Sequence, residues 1–357
     1  MKNIADRERN LYMSENDMKD WVFVPEEEPK CEPVEVAPAI RVGDFMVRDG
    51  EAVEYVGEDT VVYISDGITN IGSFLFEGKH VTEVHIPSTV TEMGVGSFLE
   101  APDLKNIFVD EANPAYKSID GCLYDKSGKT FIRCPSDRES VEIAEGTEKV
   151  ESRAFFQCSV KEIKLPSTLK ILEDGAFMSC SLWERMDELV LPYGVELGKE
   201  VFMYSTLPPR ITLQGVTKLP ERAFANATFG MVRLPDTLTE IGDDALCGPY
   251  AGRVYMTNSV AKIGDGVFSI YDNGGNDEYW DPSEDPSDCV YSCPDGFVLG
   301  VDNEECAAAQ YARENDIPYE VVTDIEEFLN VERPQIYHIY EMRMKDRNKQ
   351  TEDDEPW

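Results

Sequence analysis

The sequence predicts a mostly β repeat fold of the α+β kind: a right-handed solenoid with turns of about 22 residues and short parallel strands on its concave face. Three observations predict it. A large apolar residue recurs at Phe155, Phe177, Phe202, Phe224, Leu246 and Phe268, at intervals of 22, 25, 22, 22 and 22, and Phe76 and Phe98 are also 22 apart. Six blocks of one design end on such a residue: VHIPSTVTEMGVGSF, IKLPSTLKILEDGAF, LVLPYGVELGKEVF, ITLQGVTKLPERAF, VRLPDTLTEIGDDAL and VYMTNSVAKIGDGVF. Hydrophobic residues make up 42% of the 357, enough for a sizeable core, even though 70 Asp and Glu against 33 Lys and Arg leave a net charge of −37.

The elements follow in chain order. Residues 1–24 carry Leu11, Met18 and Trp21, anchors for a weak helix. Residues 25–39, PEEEPKCEPVEVAPA, are rich in Pro and Glu and read as an extended linker. The repeat unit then has a physical logic. In IKLP, Ile163 and Leu165 face one side of a short strand and Lys164 the other. Pro166 stops the strand because it has no N–H for a ladder. STLKIL turns the chain and is expected to bury Leu169 and Ile171, and the Gly-Ala-Phe step to allow close backbone packing under the aromatic anchor. No single unit can bury its own apolar face, so the units must stack. SLWERMDE (181–188) is longer than its counterparts, which explains the interval of 25. YDNGGNDEYWDPSEDPSD (271–288) reads as an acidic loop insertion, and Ile336, Tyr340 and Met344 give the tail a helical spacing after Pro334.

The blocks resemble the BspA-type leucine-rich repeats of bacteria, with a unit of the form I-x-(I/L)-P-x-(T/G)-V-x-x-I-G-x-x-A-F-x-x-C. The match is close at LPSTLKILEDGAFMSC (165–180) and LPDTLTEIGDDAL (234–246). DFMVRDGEAVEYVGEDTVVYISDGITNIGSF (44–74) is similar to the opening hairpin and first repeat of that family. NPAYKSIDGCLYDKSGKTFIRCP (113–135) is similar to its inserted β-hairpin, and AAAQYARENDIPYEVV (307–322) to its closing helix and strand. The resemblance covers roughly residues 44–322, and with the composition of the flanks it gives an organisation of 1–39 N-terminal segment and linker, 40–60 capping hairpin, 61–322 solenoid and 323–357 C-terminal amphipathic helix and tail. The hairpin insertion falls at about 110–135 and the acidic loop at about 271–288.

The acidic balance argues against a nucleic-acid partner, which needs a basic face, and no stretch is long enough for membrane insertion. The first twenty residues contain no apolar run of signal-peptide length, and nine cysteines are too sparse for a disulfide framework, so the expected location is cytoplasmic. A cell-surface or secreted location is the alternative if a leader has been removed. No Walker, dinucleotide or Gly-x-Ser-x-Gly pattern is present, so neither an enzyme nor a cofactor is expected. No metal is expected: His80, His85 and His338 have no His or Cys neighbour at ligand spacing, and Cys289, Cys293 and Cys306 form an incomplete set. Asp272–Asp277 lacks EF-hand spacing. Cys158 and Cys180, three residues after the repeat Phe, read as small core fillers.

Strand parity places Tyr63, His85, Phe108, Glu142, Lys164, Val190, Thr212, Arg233 and Tyr255 on the concave sheet, with Arg210 and Arg253 in the adjoining row. The predicted partner-binding strip is Tyr63, His85, Phe108, Lys164, Arg210, Thr212, Arg233, Arg253 and Tyr255, because Tyr and Arg are common binding anchors. The expected function is non-enzymatic protein binding through that strip and nearby loops. A surface adhesin for host or matrix proteins, or a scaffold presenting the C-terminal helix, are the alternatives.

Overall fold

The computed structural model describes residues 37–94, 96–182, 185–248, 253–268, 270–272, 290–292 and 297–329. The chain divides into two units, Met1–Pro38 and Ala39–Trp357, of which the second holds the repeats. The helix expected within 1–24, the linker up to residue 36, the acidic loop from 273 to 288 and the helix after Pro334 lie outside the described residues, as do Cys31, Cys289, Cys293 and His338.

The repeat strands form a front sheet of parallel strands in three sections. Val61–Tyr63, Glu83–Ile86 and Asn106–Val109 make the first, and Ser140–Glu142 with Glu162–Lys164 the second. The third runs from Glu188–Leu191 through Arg210–Leu213, Met231–Arg233, Arg253–Met256 and Val298–Val301 to Tyr319–Val321. Alternation does what the sequence predicts: Val84, Ile107, Val141, Leu189, Ile211, Val232 and Val254 point inward and are buried, while their neighbours face outward.

A second sheet lies behind, built from strands of two residues such as Lys149–Val150, Ile171–Leu172 and Glu196–Leu197, again parallel. It corrects one residue of the sequence reading. Leu169 is buried as expected, but Leu172 takes the inward position and Ile171 is 37% exposed. A shift of one residue in a strand exchanges its faces. Between the sheets the aromatic turns stack. The Phe155 N–H donates to Ala176 O and the Phe177 N–H to Val201 O, each at 2.8 Å. The rings follow, Phe131 on Phe155 at 4.9 Å and Phe155 on Phe177 at 4.6 Å between centroids. Cys158 and Cys180 fill small gaps in this core, both 1% exposed.

The glycines divide their work differently from the expectation. Gly175 of Gly-Ala-Phe has φ +61, and an added Cβ would meet its nearest neighbour at an ordinary 3.5 Å, so that position needs a left-handed backbone rather than space. The close approach belongs to the glycine before the turn: a Cβ on Gly242 would lie 2.7 Å from Glu221 N.

The opening hairpin is a three-strand antiparallel meander, Ile40–Val42, Phe45–Arg48 and Glu51–Tyr55. The inserted hairpin, Tyr116–Ile119 and Cys122–Asp125, turns at Asp120 and Gly121 with φ +48 and +71, which suits a type I′ turn. Its second strand divides the interior. Leu123 packs with the N-terminal core (Phe45 to Ile107), whereas Cys122 and Tyr124 pack with the C-terminal core. Consecutive residues of a strand point to opposite faces, so one strand serves two cores.

The array closes with the helix Ala307–Glu314, whose Ala308, Ala309 and Ala312 are buried. Cys306 caps it, its sulfur accepting from the Ala309 N–H at 3.3 Å. At the other end Asp316 has φ +55 and the Ile317 N–H reaches Ala312 O, which satisfies the last turn. Tyr319–Val321 adds the last front strand, and a short helix, Ile325–Phe328, follows it.

Candidate binding face

Parallel partners in register line up one row of side chains across the front sheet. The row reads Tyr63, His85, Phe108, then Glu142, Lys164, then Val190, Thr212, Arg233, Tyr255 and Gly300. The predicted strip residues therefore do share this face, with Arg210 and Arg253 in the neighbouring row. They do not share one environment.

At the N-terminal end the rings are stacked and open. Tyr63 and His85 lie 4.2 Å apart at 11°, and His85 and Phe108 lie 5.2 Å apart. Tyr63 is 67% and Phe108 37% exposed. His85 Nε2 sits 2.6 Å from the Glu83 carboxylate, which fixes the ring edge and leaves its face to the stack. Two aromatic rings held in water on rigid strands forgo burial that a partner surface would supply.

In the middle, charge is neutralised within the face. Lys164 pairs with Glu142 at 2.5 Å, and that carboxylate holds the ammonium above its usual pKa. Thr212 donates to Glu188 at 2.5 Å. Arg210 is exposed, and among the described residues no hydrogen bond or ion pair reaches its guanidinium.

At the C-terminal end Tyr255 is covered, which corrects the sequence reading for that residue, while Arg233 stays exposed. Tyr255 is 2% exposed and packs with Phe328 and Leu329. Burial and the hydrogen-bonded Asp302 carboxylate push its phenol well above the usual range. Arg253 donates to Phe328 O at 2.5 Å and holds its guanidinium 5.1 Å from the Phe328 ring. Arg233 pairs with Glu326 at 3.7 Å. Sequence parity finds the row but cannot foresee that a later segment folds across it.

A cavity of about 660 Å³ opens where the two cores meet, lined among others by Phe98, Tyr116, Leu123, Arg133, Glu151 and Glu173. No sequence pattern points to it, because its walls come from separate repeats and the hairpin. Arg133 is 5% exposed and bridges the two blocks, donating to Phe98 O at 3.4 Å and to Arg153 O at 2.8 Å. Glu173 is held by Lys149 at 3.0 Å. Partial burial raises the Glu151 pKa against the opposing pull of Lys149. A raised folded-state pKa contributes stability at low pH that is lost as pH climbs through that value. Glu151→Gln keeps the neutral form, so its Tm should exceed that of the native chain at neutral pH and match it below about pH 4. Equal Tm values in both conditions would remove burial as the cause. Among the described residues no group of three or more His, Cys, Asp or Glu converges to hold a metal, and no helix is long and apolar enough to cross a membrane.

Stacked turns of about 22 residues, a parallel front sheet and an aromatic core row define a leucine-rich-repeat solenoid. The chain belongs to the family described as the BspA type leucine rich repeat region, which matches in six copies over residues 58–136, 125–186 and 195–276. None of the curated proteins matches it. Among solved structures it is similar to a leucine-rich repeat protein from Eubacterium ventriosum, at 19% identity and TM-score 0.49 over 57% of this chain and 62% of that one. It is also similar to the pneumococcal vaccine antigen PcpA, at 18% identity and TM-score 0.46 over 73% of this chain and 61% of that one. A leucine rich cell surface protein of Faecalibacterium prausnitzii matches at 19% identity and TM-score 0.39 over 64% of this chain and 73% of that one. The chain thus spans less than two thirds of the first two of these proteins.

Proposed function

We propose that the protein is a non-enzymatic scaffold that binds another protein on its front sheet, with the open Tyr63, His85 and Phe108 rings as the anchor. The exposed stack carries this reading: large rings fixed on strands lose little conformational freedom on binding, and such residues dominate interface energetics. The net charge of −37 favours a partner with a basic or mixed surface, and a Lys or Arg laid over the Tyr63 ring would find the Glu83 carboxylate nearby. Arg210 and Thr212 extend the contact along the open part of the face.

The test compares the native chain with a Tyr63→Ser/Phe108→Ser variant in capture from cell lysate and from extracellular matrix extract. Both side chains lie outside the buried cores, so the variant should stay folded with only a small loss of thermal stability. Each ring contributes about 2 kcal/mol if it is a hot spot, so the double change should weaken capture of a specific protein at least tenfold. Equal capture by both proteins would reject the aromatic anchor. Capture from matrix extract alone would favour the adhesin form of the same reading.

A further inference from the structure

The C-terminal end of the front face is already occupied, and its occupant shows what chemistry that end accepts. Asp324 caps the short helix Ile325–Phe328 by accepting from the Glu327 N–H at 3.0 Å. The helix places Phe328 and Leu329 on the sheet, where they are 4% and 6% exposed. With Tyr255 they form an apolar cluster separate from the two cores inside the solenoid, flanked by Met231, Val298, Val322 and Ile325. Gly300 is what makes room. It occupies the position of the front row next to Tyr255, and a Cβ there would lie 2.7 Å from Phe328 Cε1. The row is therefore notched at the point where a ring enters it. Around the notch, Arg253 meets both the Phe328 ring and its backbone carbonyl, and Arg233 meets Glu326, two residues before the ring.

Arg233, Tyr255, Arg253 and Gly300 sit on strands fixed by the main core. Val232, Val254, Leu299 and Val301 tie those strands to the main core, apart from the segment's own contacts. The segment lacks the same independence, because a four-residue helix has no stability of its own and is held only by what it touches. A preformed seat filled by a short segment is an exchange site: a segment offering an aromatic side chain, with a carboxylate two residues before it, meets the same contacts and competes against the effective concentration of the chain's own segment.

We propose that the Gly300 notch is a recognition site for an acidic segment carrying an aromatic anchor, and that Glu326 to Leu329 is its built-in occupant. A partner bearing such a segment displaces the chain's own and extends its contact from the open rings to the whole face. The inference rests on the front face being where partners bind.

The test uses the full chain and a fluorescent peptide of the sequence TDIEEFLN, residues 323–330. Phe328→Ala empties the notch without touching the solenoid core, so its main unfolding transition should stay near the native one. That variant should bind the peptide saturably with a Kd below about 1 mM, and the native chain at least tenfold more weakly, because its own segment competes. Adding Gly300→Val or Arg253→Gln to the Phe328→Ala background should abolish binding, as should replacing Phe by Ala in the peptide. Absence of saturable binding by the folded Phe328→Ala chain would overturn the proposal, and so would binding that ignores Gly300→Val. The two readings fail separately. If the Tyr63→Ser/Phe108→Ser variant captures partners normally while the peptide still binds, the aromatic anchor falls and the notch stands.

Discussion

Phe155→Ala is expected to cost about 4 kcal/mol of folding stability. The ring is fully buried and lies between two others, Phe131 at 4.9 Å and Phe177 at 4.6 Å. Truncation removes apolar surface and leaves a cavity whose walls cannot close, because both neighbouring turns are tied by backbone hydrogen bonds at fixed spacing. In a solenoid each turn is stabilised mainly by its two neighbours, so a hole at residue 155 weakens two interfaces together. Phe155→Leu should lose only about 1 kcal/mol, since the array itself places Leu246, fully buried, at the equivalent position. Urea unfolding of both variants checks the pair. Similar losses for Ala and Leu would mean that ring stacking, rather than filled volume, carries the stability.

Asn113→Ala is expected to cost about 3 kcal/mol through unsatisfied backbone groups rather than lost volume. Asn113 is fully buried just before the inserted hairpin. Its Nδ2 donates to Pro87 O and Val90 O, both at 2.8 Å, and its Oδ1 accepts from the Ala115 N–H at 2.9 Å and the Tyr116 N–H at 2.8 Å. One amide thus ties the hairpin to the preceding turn and answers four backbone groups, of which Val90 O is fully buried and the others partly so. Asn113→Asp separates the two halves. It keeps both acceptances but turns the donations into a buried charge facing carbonyl oxygens, so it should be no better tolerated than Ala. Hydrogen exchange would show faster exchange at Ala115 and Tyr116 in the Ala variant and not in the Asp variant. A stability loss below about 1 kcal/mol for both would show that the hairpin is held by Leu123 and Tyr124 packing alone.

Much of this architecture is legible because a solenoid writes its period into the sequence. Phe155 through Phe268 set the turn length, and the alternation in blocks such as IKLP sets the inward and outward faces. Where the structure differs from those expectations, the causes are specific. Ile171 and Leu172 are adjacent apolar residues in a two-residue strand, too short for alternation to show which faces inward. Gly175 suggests close packing, yet its φ of +61 is the reason for a glycine there, and the two demands look alike in a sequence. At the candidate site, parity places Tyr63, His85 and Phe108 on one face, but nothing in their spacing reports how near the rings lie or how much of each meets solvent.

The sequence by itself determined the turn length, the parallel front strands and the row of residues shared by the face, because stacked units repeat the same short-range solution and that repetition is visible as spacing. The tertiary structure alone decided which part of the row is open. Among the described residues no later element covers Tyr63, which stays exposed, while Tyr255 is buried because Phe328, 73 positions further along the chain, enters the gap left by Gly300. The same holds for Leu123 between two cores and for Glu151 beside the cavity. Each depends on a contact between residues far apart in the chain, and such contacts leave no period to read.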